Sequence, residues 1–185
     1  MTCAGVLLTG GASRRMATDK ASIQWRGETL AARAARVLGE VCEPVVEVGS
    51  GVSALAHVRE DPPGSGPLAA LVAGAKALAS RGPIVLLACD LPFVEAPLLA
   101  LLADWPGRGT VVPLVDDRLQ YACARYGTDA LDRAVAALAR GDRSLRVLVD
   151  SNCDELTEAQ WRTVGPSNAL ADVDTPDDLR RLGLS

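Results

Sequence analysis

The chain has 185 residues, 49% hydrophobic and 23% charged, which excludes a disordered or collagen-like polypeptide and fits a single folded domain over residues 1–185. Its 23 acidic residues against 19 basic ones give a net charge of −4, which argues against a nucleic-acid binder with its positive face but leaves room for a local basic pocket. Aromatic residues are only 3%, so the core must be built from Leu, Val, Ile and Ala.

Short apolar runs alternate with helical patterns, the mark of βαβ units around a largely parallel buried sheet. Ala4 to Thr9 reads as the first strand and runs into the glycine-rich turn Gly10-Gly11-Ala12-Ser13. Thr29 to Leu38 reads as a helix with Leu30, Ala34, Val37 and Leu38 on one face. Val45 to Val48 is a second strand, closed by Gly49-Ser50-Gly51. A proline- and glycine-rich loop, Asp61 to Pro67, opens an alanine-rich helix from Leu68 to Ala79.

Ile84 to Cys89 is the clearest strand, six apolar residues followed by Asp90-Leu91-Pro92. Ala96 to Ala103 reads as a helix, Thr110 to Val115 and Leu119 to Tyr126 as strands, and Asp116-Asp117 as a tight turn between them. Ala130 to Arg140 is a further helix ended by Gly141, and Ser144 to Val149 a short one. Thr175-Pro176-Asp177-Asp178 combines an N-cap, proline at the first helical position and acids in the first turn. It starts a last helix that reaches about Leu182.

The five cysteines (Cys3, Cys42, Cys89, Cys123, Cys153) are widely spaced, with no CxxC pair, and His57 is the only histidine. That argues against an ordinary zinc site, a disulfide framework and a His-dependent nucleophile; His57 reads as a polar residue near a strand end. The apolar runs are too short to span a bilayer. The N-terminus has no basic leader before its apolar stretch. A cytoplasmic protein with no membrane and no nucleic-acid partner is expected.

Four segments carry candidate chemistry. A buried strand entering Gly10-Gly11 lets backbone N–H groups approach an anion without a Cβ in the way. Arg14, Arg15 and Lys20 add positive charge in the same loop. The spacing is neither a Walker A loop nor GxGxxG. Of the 19 basic residues only Lys20 and Lys76 are lysines, so a lysine in this loop points to a need for a compact point charge. Asp90 follows the most apolar strand, where open α/β sheets bind ligands. There a carboxylate is placed either to hold Mg²⁺ or simply to cap the following turn. Cys89 beside it reads as a small buried residue. Asp61 begins a glycine-containing loop and is placed to meet a ribose hydroxyl or a base amine. Asp172 and Asp174, two apart, share one face of an extended segment and could give a metal its second carboxylate.

Taken in order, these segments resemble the molybdenum-cofactor nucleotidylyltransferases, the guanylyltransferase branch above all. LLTGGASRRMATDK is similar to that family's LxGGxSxRMGxDK, DPPGSGPLAAL to its D…GxGPLAGL, and LLACDLPF to its CDxP strand end. RLQYACARY, GDRSLRVL and ADVDTPDDL resemble its RxQPLxALY, GxxSLRxLL and DVDTPEDL. The resemblance spans about residues 4 to 182. Ala17 and Ala70 stand where the family has glycine, Tyr121-Ala122 where Pro-Leu is common, and no asparagine stands near Gly49-Ser50.

The resemblance implies a three-layer, Rossmann-like nucleotidyltransferase fold with a mostly parallel mixed sheet. It implies that Leu8, Thr9, Gly10 and Gly11 bind a guanine nucleotide through their backbone and that Arg15 and Lys20 hold its phosphates. By the same resemblance Asp61 reads the guanosine and Asp90 binds Mg²⁺. GTP and molybdopterin would be the substrates, and relatives work with a molybdenum insertion protein and a molybdoenzyme chaperone. Arg118, Gln120 and Arg143 are acceptor-side candidates by position only. Two alternatives stay open: transfer with another base or acceptor (a cytidylyltransferase of the same cofactor, or a sugar-phosphate nucleotidylyltransferase), and a nucleotide-binding module without turnover.

Overall fold

A computed structural model of the chain describes residues 3–10, 19–80 and 82–183. In chain order the elements are β1 (Cys3–Leu8), a 3₁₀ turn (Lys20–Ser22), β2 (Gln24–Trp25), β3 (Glu28–Thr29), α1 (Leu30–Gly39), β4 (Cys42–Val48), β5 (His57–Val58) and α2 (Pro67–Ala77). They continue with β6 (Ile84–Ala88), α3 (Ala96–Ala103), β7 (Val111–Val115), β8 (Arg118–Leu119), β9 (Cys123–Tyr126), α4 (Thr128–Ala139) and a second 3₁₀ turn (Leu145–Leu148). Last come β10 (Asp154–Leu156), α5 (Glu158–Trp161) and α6 (Pro176–Arg181).

The main sheet has the order β10-β7-β9-β6-β1-β4-β5, with β8 paired to β7. The pairs β1–β4, β1–β6, β4–β5 and β7–β10 are parallel, and β9 runs antiparallel to both β6 and β7. The mostly parallel mixed sheet expected from the sequence is therefore present.

Strand periodicity explains why the apolar runs are continuous. In β6, Val85 and Leu87 enter one core with α1 and α3, while Ile84 and Leu86 enter the other with α2 and α4. In β1, Leu7 faces the first core and Val6 and Leu8 the second. A strand covered by helices on both faces needs an apolar residue at every position, so alternation disappears from its sequence. Trp161 of α5 is fully buried, and its Nε1 donates to the Leu114 carbonyl at 3.0 Å. No helix among the described residues is long and apolar enough to cross a membrane.

Several boundaries differ from expectation. The second strand starts at Cys42 rather than Val45, because its exposed first turn, Glu43 and Pro44, hides it from apolar counting. The segment after Ser144 is a single 3₁₀ turn capped by the Ser144 hydroxyl. Asp116 and Asp117, both at positive φ, make the tight turn that pairs β7 with β8. His57 sits in β5 at the sheet edge, as a polar strand residue.

Candidate active site

The topology creates a crevice. From β1 the chain moves outward to β4 through α1 on one face, then returns to β6 through α2 on the other. Connections that leave to opposite faces open a gap beyond the carboxyl ends of β1 and β6, the usual ligand site of such sheets. The strand ends are tied there by backbone bonds: Cys89 N–H donates to the Leu8 carbonyl at 3.0 Å, and Thr9 N–H to the Val48 carbonyl at 3.2 Å.

Two adjoining hollows fill this gap. The larger, about 550 Å³, is walled by the ends of β1 and β4 (Thr9, Gly10, Val48, Gly49), by Arg59 and Glu60, and by Gly64 and Gly66 before α2. The smaller, about 290 Å³, is lined by Gly10, Lys20, Cys89, Asp90 and Ala122. They share Leu8, Thr9, Gly10, Asp19 and Pro67, so they form one cleft.

At the floor of the smaller hollow, Lys20 Nζ donates to Asp90 Oδ2 at 3.2 Å and also to Asp174 Oδ1. Three segments far apart in the chain therefore meet in one ion-pair cluster. The Asp19 carboxylate starts the 3₁₀ turn that carries Lys20 by accepting from Ala21 N–H at 3.1 Å. Val173 N–H donates to the Asp90 carbonyl at 3.0 Å, and with the Val173 side chain buried the Asp172-Val173-Asp174 strip is held along the strand end. Burial opposes the Lys20 charge, but the hydrogen bond it donates to Asp174 and the Asp90 charge outweigh it and raise the ammonium's pKa. Burial pushes Asp90 up; Lys20 opposes that, and Asp172 and Asp174 add to it. Asp90 therefore has one ammonium and two further carboxylates around it, and among the described residues no three acidic, His or Cys side chains gather as a metal-binding group. Burial, then Asp90 and Asp19, raise the Cys89 thiol to about 12, so Cys89 is a neutral wall residue.

Glu47 was not singled out from the sequence, yet it organises the larger hollow. Its fully buried carboxylate accepts from the Thr9 hydroxyl (2.5 Å), the N–H groups of Gly51, Val52 and Ser53 (2.7, 3.1 and 2.9 Å) and the Ser53 hydroxyl (2.5 Å). Burial alone would raise its pKa, but the hydrogen bonds from Ser53, Thr9 and Val52 win and lower it to about 2. The only sequence sign was one acid in an otherwise apolar stretch, Val45-Val46-Glu47-Val48. Gly49 completes the joint, because a Cβ there would lie 2.0 Å from Thr9 Oγ1. Arg33 of α1 was also unforeseen: its Nε donates to the Pro92 carbonyl at 2.6 Å and pins the loop that follows Asp90.

Among the residues named from the sequence, Leu8, Thr9, Gly10, Lys20 and Asp90 meet in the cleft. Asp61 is exposed in the loop between Glu60 and Pro63, which line the larger hollow. Gly11, Arg14 and Arg15 lie outside the described residues.

Residues 5–157 match the model of the MobA-like NTP transferase domain. A probable molybdenum cofactor guanylyltransferase of Opitutus terrae is 42% identical over 156 residues, covering 79% of this chain and 77% of that protein. One of Mycobacterium avium is 34% identical, covering 98% and 95%. Among solved structures, molybdopterin-guanine dinucleotide biosynthesis protein A of Archaeoglobus fulgidus shares the fold with a TM-score of 0.80 at 22% identity, covering 96% of this chain and 95% of that one. A strand-end cleft with its Lys20–Asp90 pair and a domain match over most of the chain lead to one assignment: the chain belongs to the MobA-like NTP transferase domain family.

Proposed function

We propose that this chain transfers GMP from GTP to molybdopterin, releasing pyrophosphate and forming the guanine dinucleotide form of the molybdenum cofactor. The observation that carries the reading is the Lys20 ammonium held between Asp90 and Asp174, in the smaller hollow of a cleft large enough for a nucleotide. The names borne by relatives at 31–42% identity support the choice of donor and acceptor.

The acceptor's phosphate oxygen attacks the α-phosphorus of GTP. The bond from that phosphorus to the β-bridging oxygen breaks, and pyrophosphate leaves. A phosphate nucleophile is already ionised near neutral pH, so no general base is needed, in keeping with a chain whose one histidine is an exposed residue of the edge strand β5. What remains is to bring two anions together and stabilise charge on the departing pyrophosphate, which is work for positioning and electrostatics. Gly10 leaves the end of β1 open to close approach, and the backbone of Leu8 to Gly11 would hold the nucleotide. Lys20 and Arg15 would neutralise the β- and γ-phosphates, and Asp61 would meet the guanosine.

The carboxylates around Lys20 suit a divalent cation. Asp90 and Asp174 converge on one ammonium and offer hard oxygen donors, and Mg²⁺ takes one or two protein carboxylates with the rest of its shell from water and phosphate. When bound, Mg²⁺ would offset the triphosphate's charge at this spot. The test is pyrophosphate release by the purified chain with molybdopterin and Mg²⁺, comparing GTP with CTP. Release with GTP alone supports the reading, and release with CTP alone replaces it with a cytidylyl transfer.

A further inference from the structure

The opposite end of the sheet holds a third hollow, about 400 Å³, away from the cleft. Cys3, Ala4, Pro83, Ala103 and Arg125 are among its walls. Cys3 begins β1 and lies directly beside Cys42, which begins β4, as a register pair across the two parallel strands. Both side chains belong to the same buried cluster, and the Cys3 thiol donates to the Pro83 carbonyl at 3.0 Å. Adjacent strands lie about 4.8 Å apart, inside the window of about 4.4–6.8 Å between Cα atoms that a disulfide needs.

Arg125 supplies the second ingredient. It is 1% exposed on β9, where its Nε donates to the Gly109 carbonyl and its Nη1 to those of Ala103 and Trp105. Its Nη2 is buried without a hydrogen-bond partner among the described residues, and its charge acts on Cys3. The cysteines are thereby sorted. Cys3 is lowered, first by its neighbour Cys42 and against burial, with Arg125 contributing. Burial raises Cys89 and Cys123 to about 12 and Cys153 to about 11. Loss of the Cys3 proton would leave a thiolate in the hollow that Arg125 lines, next to a resolving thiol, the arrangement that reacts with peroxides.

We infer that Cys3 and Cys42 form an oxidation site for small hydroperoxides, with Cys3 as the attacking sulfur and Cys42 as the resolving one. The Cys3 thiolate attacks the peroxide, its S–O bond forms as the O–O bond breaks, and water or an alcohol leaves after taking up a proton. Cys42 sulfur then attacks Cys3 sulfur. The S–S bond forms, the S–O bond breaks, and the departing hydroxide leaves as water with the Cys42 proton. Two thiols are oxidised by two electrons and one peroxide is reduced.

The test uses the whole folded chain. Hydrogen peroxide is added, the reaction is quenched, the protein is denatured and free thiols are alkylated, and peptides are mapped by mass spectrometry. A Cys3–Cys42 cross-link within one chain is expected, lighter than the paired thiols by two hydrogens. Its thiols should be lost at least about 10-fold faster than that of Cys153. In Cys42→Ser the reaction should stop at a Cys3 sulfenic acid that dimedone captures. Wild-type protein in which Cys153 oxidises while Cys3 and Cys42 both remain alkylatable overturns the inference. So does a link that joins two chains.

Discussion

Lys20 and Asp90, seventy residues apart in the chain, are joined by a 3.2 Å hydrogen bond at the carboxyl ends of adjacent strands. A lysine on the turn after β1 and an aspartate after β6 can meet only because the two strands pair in parallel, residue for residue, from Ala4 with Ile84 to Leu8 with Ala88.

Lys20→Ala is expected to lower kcat for guanylyl transfer by on the order of 10²-fold or more, by comparison with the loss of one preorganised electrostatic donor. Lys20→Arg should not restore it, since a planar fork does not replace a compact ammonium between two carboxylates. Steady-state pyrophosphate release measures both. Thermal unfolding, measured alongside, should show some destabilisation in Lys20→Ala, because Asp90 and Asp174 lose their shared counter-charge.

Glu47→Gln is expected to destabilise the chain by about 2–4 kcal/mol, since an amide nitrogen would face N–H donors that a carboxylate now satisfies. The carboxylate holds both Thr9 and the turn from Gly51 to Ser53. Loss of GTP affinity should therefore accompany the loss of stability. Urea unfolding and nucleotide titration check the two effects.

The same residue sets an acid limit. Its folded pKa of about 2 lies below the ordinary 4.5, so between those values the unfolded chain binds more protons and stability falls as pH falls. Its contribution is fully present above about pH 4.5 and is lost on approaching pH 2. In Glu47→Gln, stability measured across that window should lose part of its slope.

Gly49→Ala is expected to weaken nucleotide binding and cost about 1–3 kcal/mol, because its Cβ would fall 2.0 Å from Thr9 Oγ1 and force the ends of β1 and β4 apart. Isothermal titration with GTP and a thermal melt report the two effects separately.

The parts of the fold buried on both faces were legible in the sequence. The run from Ile84 to Cys89 and the stretch from Ala4 to Thr9 predicted β6 and β1 to within a residue, because packing by helices on each side demands apolar side chains throughout. The small elements were not. The hairpin of β2 and β3 turns on Arg26-Gly27, both at positive φ, and an arginine there carries no turn signal. The edge strand β10 exposes Asp154 and Glu155 and buries only Leu156, which leaves too little alternation to read.

The cleft followed the same division. Gly10, Lys20 and Asp90 could be placed by the rule that ligands meet strand carboxyl ends, together with the family motifs. Asp174 could be named as a carboxylate beside the cleft, but its bond to Lys20 depends on Val173 docking against Asp90, a contact between segments more than eighty residues apart. Glu47 and Arg33 act through backbone groups of loops whose path no local pattern encodes.

The most direct test compares wild-type protein with Asp90→Ala in GTP, Mg²⁺ and molybdopterin, following pyrophosphate release alongside the melting curve. The account predicts release by the wild type and, in the variant, a fall of at least about 10²-fold with the fold retained. Wild-type turnover by Asp90→Ala under those conditions would contradict it.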